Sequence, residues 1–223
     1  MRASHWVWML ALAMGLPGLE GQSVKASSAP RTASASTEME RQVIAEMTLA
    51  RTHPKHFAVF LHQLRGCYEG ALFREPGRIP KRTIEGVHAL DQAIAFLESA
   101  TPVGPLAWDE ALFLAARDHA RDQSRTGETG HVGSDGSTMS QRIERHGSWT
   151  GRIAENIDYG DSEARRIIIN LIVDDGVANR GHRRNIFNHD LKVAGAAIAP
   201  HRTYRHMCVI DFAAAILPEG GRR

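Results

Sequence analysis

Apolar residues recur at spacings of three and four along several stretches of the chain. Val43, Ile44, Met47 and Ala50 form one such face, which predicts a helix with one buried stripe. Thr37-Glu38-Met39-Glu40 has capping-box spacing and is expected to open it. His53-Pro54 breaks or kinks that helix, and Phe57, Phe60, Leu61 and Leu64 continue in a second piece. Ile84, Val87, Leu90, Ile94 and Leu97 mark another stripe. Asp109 suits an N-cap; beyond it Leu112, Ala115, Ala116, His119 and Ala120 share a face whose alanines imply close approach to a neighbour. Thr138-Met139-Ser140-Gln141 repeats the capping-box spacing before a short helix through Ile143. Asp161-Ser162 is expected to cap the helix that carries the apolar run Ile167 to Val173.

Strand signals come late. Ile153 to Ile157 reads as a short strand or extended loop. Val193 to Ala199 and Tyr204 to Phe212 are separated by only Pro200-His201-Arg202-Thr203, which allows antiparallel pairing. Met207-Cys208-Val209-Ile210 is nearly continuous in apolar character, as a strand covered on both faces would be. Residues 66–83 carry Gly66, Gly70, Pro76, Gly77 and Pro80 and read as a surface loop. Helices first, then a strand pair with helices on both faces, imply an α+β fold: a three-layer α-β-α sandwich with a small antiparallel sheet.

The ends differ in kind. Arg2 and His5 precede the apolar run Trp6 to Leu16, which is too short to span a bilayer and is followed by Pro17, Gly18 and small residues. Basic, then apolar, then small is the order of a secretory signal peptide, here residues 1–26, with cleavage expected after Gly21 or after Ala26. The alternative is an uncleaved anchoring helix. Residues 27–36 read as a flexible leader, 37–215 as one domain and 216–223 as a frayed tail. A secreted or periplasmic location follows. In such a compartment Cys67 and Cys208 permit a disulfide, the alternative being two buried thiols. The whole chain has 223 residues, 43% hydrophobic and 23% charged, with a formal net charge of +2. That charge is too small to argue for nucleic acid or an anionic membrane as partner. A monomer that is not an integral membrane protein is expected.

Three polar islands interrupt the scaffold: Gly130 to Ser137, Ala154 to Ile157, and Asp174 to His189. Their expected arrangement is around one shallow cavity. His131 and His182 are the natural metal-ligand pair, since neutral imidazole takes zinc or another divalent cation readily. They stand 51 residues apart and the His-Glu-x-x-His helix of zincins is absent, so two separate, solvent-facing histidines remain the alternative. Glu155 suits a general base or an orienter of an imidazole, or else an ion pair with Arg180, Arg183 or Arg184. Asp174 and Asp175 close a helix at the end where carboxylates oppose the dipole, which calls for a specific partner, an arginine or a cavity histidine. His119 reads as a core imidazole with a local partner. Ser134, Asp135 and Ser137 read as caps of the next helix, and Asn185 as a loop tie.

Taken together, Leu106-x-Trp108, Ala116-x-x-His119-Ala120, Gly130-His131-x-Gly133-Ser134-Asp135-Gly136, Glu155-Asn156-Ile157 and Gly181-His182-Arg183-x-Asn185-Ile186 resemble the bacterial branch of the CAP superfamily. These are SCP-like secreted proteins, similar to cysteine-rich secretory proteins, insect antigen 5 and plant pathogenesis-related proteins. The resemblance spans about residues 40–213. It implies an α-β-α sandwich whose central cavity holds two histidines, here His131 and His182, and two acids, the first being Glu155. The second acid departs from the family pattern, with Asp174 or Asp175 the nearest carboxylate. The implied ligands are an envelope component, a lipid or sterol, or a protein. Two functions follow: a non-catalytic binding module, or a metal-assisted hydrolase with Glu155 as base. The first is preferred, because no nucleophile, base and orienter fall together and the metal shell is incomplete.

Overall fold

The Met207 to Ile210 run lies in a 13-residue strand at the centre of the molecule and organises what surrounds it. The computed structural model describes residues 31–217, with side chains from Glu38 onward. The expected signal peptide, its cleavage positions and the tail from Pro218 lie outside the described residues. Among the described residues no helix is long and apolar enough to cross a membrane.

Helix α1 (Arg31–Thr52) is followed by α2 (Pro54–Leu64), the break falling at His53 with Pro54 in the first helical turn. A single tight turn leads into three two-residue strands, β1 (Tyr68–Glu69), β2 (Leu72–Phe73) and β3 (Lys81–Arg82), paired antiparallel in that order. Then come α3 (Val87–Ser99), β4 (Ala107–Trp108), α4 (Glu110–Thr126), α5 (Met139–Glu144) and β5 (Ser148–Tyr159). The chain ends in α6 (Ala164–Val173), α7 (Gly181–Ile186), β6 (Val193–His201) and β7 (Arg205–Leu217). The larger sheet runs β4-β6-β7-β5, with β4 parallel to β6 and the other pairs antiparallel.

Period-two alternation sorts this sheet into two faces. Ala197, Met207 and Val209 meet Phe113, Ala116 and Ala120 of α4, and Ala213 meets Leu112, Ala115 and Ile143. Ala194, Ala196, Cys208, Ile210 and Phe212 meet α1, α2, α3 and α6 on the other side. The fold is therefore α+β, with α4 and α5 on one face of the sheet and the remaining helices on the other. The alanine stripe of α4 does bring the backbones close. A Cβ on Gly195 of β6 would fall 2.0 Å from the Phe113 nitrogen, so only glycine fits there.

Several elements depart from the sequence reading. Helix α1 starts at Arg31, inside the segment read as leader and ahead of the Thr37 box; Ala33 and Ala35 favour helix, and no Pro or Gly follows Pro30 until Pro54. The loop at 66–83 contains the small β1–β3 sheet. Ile84 lies outside α3 and is exposed, because Gly86 at φ 64° turns the chain just before the helix begins. Asp161 does not cap α6: the N-cap is Glu163, and Asp161 is taken by Lys81, Arg78 and Asn170. Strand β7 extends to Leu217, two residues past the expected domain end. Cys67 and Cys208 are both free thiols, Cys208 fully buried on β7.

One buried cation fastens the larger helical layer. Arg51, at the end of α1, is completely buried and donates to the carbonyls of Gly104, Ile186, Asn188 and Leu191 at 2.5–3.0 Å. Burial pulls its guanidinium down to about 10. It thereby fixes the exit from α7, the helix that carries His182.

Candidate functional site

Strand β5 carries the first acid, and its two central residues point to opposite faces. Glu155 reaches the α5 side, where His131 and Arg142 wait. Asn156 reaches the α7 side, donating to the His182 carbonyl at 3.1 Å and accepting from Asn185 at 2.9 Å. A bulge between Thr150 and Ile153 lies just upstream, where Gly151 takes φ 76°.

His131 is held through its neighbours. Gly130 donates its amide to the Tyr159 hydroxyl at 3.0 Å, and its carbonyl accepts from Gln123 at 2.5 Å and meets the His119 ring at 2.8 Å. His119 is wholly buried, and burial lowers its pKa so that it stays a neutral tether. Arg142, 1% exposed, donates to the carbonyls of His131 and Ser137 and to Glu155 Oε2 at 2.6 Å. His131 Nδ1 meets Glu155 Oε1 at 2.8 Å. Both carboxylate oxygens of Glu155 are thus committed. Burial pushes this carboxyl up, but the His131 hydrogen bond and the Arg142 charge outweigh it and hold it below the ordinary range. The same hydrogen bond raises His131.

Asp211 sits across from Glu155 on β7, fully buried, with no hydrogen-bond partner for either oxygen. Burial, reinforced by the Glu155 charge, raises its pKa and keeps it a neutral acid.

The second pair lies at the end of α6. Asp174 closes that helix in a left-handed conformation, φ 56°. Its Oδ1 meets His182 Nδ1 at 2.6 Å and its Oδ2 accepts the His182 amide at 2.9 Å. Asp175 turns elsewhere and accepts the amides of Ile84 and Glu85 at 2.6 and 2.8 Å. Arg180 clamps the intervening loop, bonding both oxygens of Glu85 and the Asp174 carbonyl. Arg183 is buried and donates to the last carbonyls of α6, those of Ile172 and Val173.

The structure therefore joins His131 to Glu155 and His182 to Asp174, and leaves Asp175 in a structural clamp. The arginine partner of Glu155 is Arg142, not Arg180, Arg183 or Arg184. Ser134 and Asp135 do not cap α5: Thr138 does, while Ser134 binds Asp122 and Asp135 binds Ser137 and Arg145. Arg142 went unread because an arginine in a short capped helix looks solvent-facing; its position eleven residues after His131 was the available signal.

His182 lines a cavity of about 330 Å³, and His131 lines a different, shallower one with Met139, Ser140 and Ile153. The single pocket expected from the sequence is thus divided along β5, an edge strand. Among the described residues no group of three or more His, Cys, Asp or Glu could hold a metal ion. What each imidazole does offer is a carboxylate-bound Nδ1, which orients the ring and leaves Nε2 as the remaining donor position.

With this geometry in view, comparison with known proteins identifies the chain's relatives. Residues 63–212 match the family model described as CAP, cysteine-rich secretory protein family, and the chain belongs to that family. Similar solved structures include an extracellular protein containing an SCP domain from Bacillus anthracis, at 21% identity over 50% of this chain and TM-score 0.42. An outer surface protein from Borrelia burgdorferi aligns at 19% identity over 50% of this chain and 78% of its own, with TM-score 0.43. A cysteine-rich secretory protein from Staphylococcus aureus aligns at 15% identity over 63% of this chain and 44% of its own, with TM-score 0.38. The chain spans about 34% of the Bacillus protein's length. None of the curated proteins matches it in sequence.

Proposed function

We propose that this chain is a secreted, non-catalytic binding module whose two histidine–carboxylate pairs present imidazole Nε2 atoms to an envelope or extracellular ligand. The observation that carries the reading is the double commitment of Glu155, to His131 at 2.8 Å and to buried Arg142 at 2.6 Å. A general base needs a pKa near the working pH and a lone pair aimed at the water it activates. Glu155 has its carboxyl held low and neither oxygen free. It orients His131 and raises that imidazole's pKa instead.

The donor chemistry also suits a weakly held divalent cation such as zinc. Because His131 and His182 line different cavities, they would not share one ion; each would offer a separate cation one Nε2, with Glu155 and Asp174 fixing the tautomers from behind. Such an ion would supply a Lewis-acidic position with exchangeable water. A single imidazole makes an incomplete shell, so affinity should be modest and fall with acid.

The test is a metal analysis of the natively secreted protein, paired with turnover assays on peptide, ester and cell-wall substrates. Zinc uptake lost in His131→Ala and His182→Ala, with no turnover, is the expected result. Turnover abolished by Glu155→Gln in a folded protein would overturn the binding-module reading in favour of a hydrolase.

A further inference from the structure

The cavity beside His182 contains a carboxylate that the histidine pairs do not use. Asp158 lies on β5, two residues beyond Asn156 on the same face, and is 6% exposed. Asn170 donates to its Oδ1 at 2.9 Å. Its Oδ2 is buried and has no hydrogen-bond partner, and the residue is one of those that line the cavity.

That vacancy in hydrogen bonding is specific to this residue. Five carboxylates line the cavity, and four are satisfied. Asp161 holds Lys81 and Arg78, Glu75 holds Arg166, Asp174 holds His182, and Asp175 holds two backbone amides. Arg78, Lys81 and Arg166 are thereby held by other acids, and Arg82, the further cation of the lining, is exposed. The remaining wall is largely apolar, formed by Tyr68 and Phe73, whose tilted rings lie 4.9 Å apart, and by Ile157, Ile169 and Leu171. At about 330 Å³ the space is at the lower end of small-molecule sites, roughly 300–1,000 Å³. An apolar chamber with one convergent, unsatisfied acceptor is the general form of such a site.

We propose that this cavity binds a small protonated amine carrying an apolar group, the ammonium on Asp158 Oδ2 and the apolar part against Tyr68 and Phe73. A buried carboxylate without a donor is costly, and an ammonium supplies both the missing donor and the counter-charge. Burial pushes Asp158 up to about 7, so the site holds an acid poised to ionise when a cation arrives. The β1–β3 sheet, which supplies Tyr68, Phe73 and Lys81, is then one wall of a binding site and not a decorative loop. The inference adds a ligand class to the binding-module reading and rests on it. Zinc uptake reads the imidazoles, whereas amine binding reads Asp158, so the two fail separately.

The experiment is calorimetric titration of the full chain at about pH 8 with 2-phenylethylamine, 2-phenylethanol and 3-phenylpropanoate, where the amine is protonated. The amine should bind about tenfold or more tightly than the alcohol or the acid. Asp158→Asn should remove that preference. Ile79→Trp, at an exposed position on the cavity mouth, should weaken the amine without disturbing the core, and remains informative should Asp158→Asn fail to fold. Equal affinity for amine and alcohol, amine binding that survives Asp158→Asn in a folded protein, or indifference to Ile79→Trp would each overturn the proposal.

Discussion

Asp174 and His182 are joined twice, side chain to ring at 2.6 Å and side chain to backbone amide at 2.9 Å. A carboxylate at the C-terminal end of a helix opposes the dipole, yet here the left-handed turn at Asp174 aims both oxygens at one residue eight positions on. The acid thus sets the orientation of the imidazole and the start of α7 together.

Asp174→Asn keeps a residue that tolerates the left-handed backbone while removing the charge and one acceptor. It should cost about 1–3 kcal/mol in urea unfolding and weaken zinc uptake by roughly 10- to 100-fold. Asp175→Asn should leave zinc uptake unchanged, since Asp175 holds the amides of Ile84 and Glu85.

Glu155→Gln strands Arg142, whose side chain is 2% exposed and has Glu155 as its acidic partner. Breaking a buried pair from one side typically costs about 3–5 kcal/mol, to be read by denaturant titration. A lesser loss than about 1 kcal/mol would mean that the three carbonyl and carboxylate contacts of Arg142 are not worth what their burial implies.

The His131–Glu155 pair also has a pH signature. His131 is raised above its ordinary 6.5, so its contribution is complete below that value and fades as pH climbs through the folded pKa. Glu155 is lowered below its ordinary 4.5, so its contribution is complete above that value and fades as pH falls through the folded pKa. The stability gap between wild type and His131→Ala should therefore be widest between 4.5 and 6.5 and narrow on either side. The His131 side chain is 57% exposed, which keeps the gap within about 1 kcal/mol.

Asp158→Asn should stabilise the protein in mild alkali. The unfolded chain ionises this group near 3.8 and the folded one only near 7, so wild-type stability declines as pH rises between those values. An amide escapes that decline. Melting at about pH 8 should favour the variant by an amount on the order of 1–4 kcal/mol, and the advantage should vanish near pH 4.

Arg51→Met removes the donor shared by four carbonyls from two separate segments. Stability should drop by about 3–5 kcal/mol. Amide hydrogen exchange should rise first around Ile186–Leu191, the segment that Arg51 ties down.

The sandwich was legible because its layers are written in local periodicity. The alanine face of α4, the continuous apolar run of β7 and the capping box at Thr138 each specify an element without help from elsewhere. His131, Glu155 and His182 were legible as chemistry, since each sits in a polar island, and Asp174 as one of two candidate acids. The pairing of those groups was not. Which acid meets which imidazole depends on the left-handed turn at Asp174 and on strand parity at Glu155 and Asn156, both set by tertiary contacts. Arg51 and Arg142 were invisible for a related reason: an arginine's usual place is solvent, and only a finished fold provides the ring of carbonyls that reverses it. The β1–β3 sheet escaped because two-residue strands carry too few positions to alternate.

The bulge between Thr150 and Ile153 sets the phase of everything that follows it on β5. Deleting one residue there would exchange the inside and outside of the strand, handing Asn156 to Arg142 and turning Glu155 toward α7. His131 would lose Glu155, and the His182 carbonyl would lose Asn156, while Ile157 and Ala154 would exchange their apolar layers. A length change of a single residue at this bulge thus reaches both the apolar layers and the polar contacts of His131.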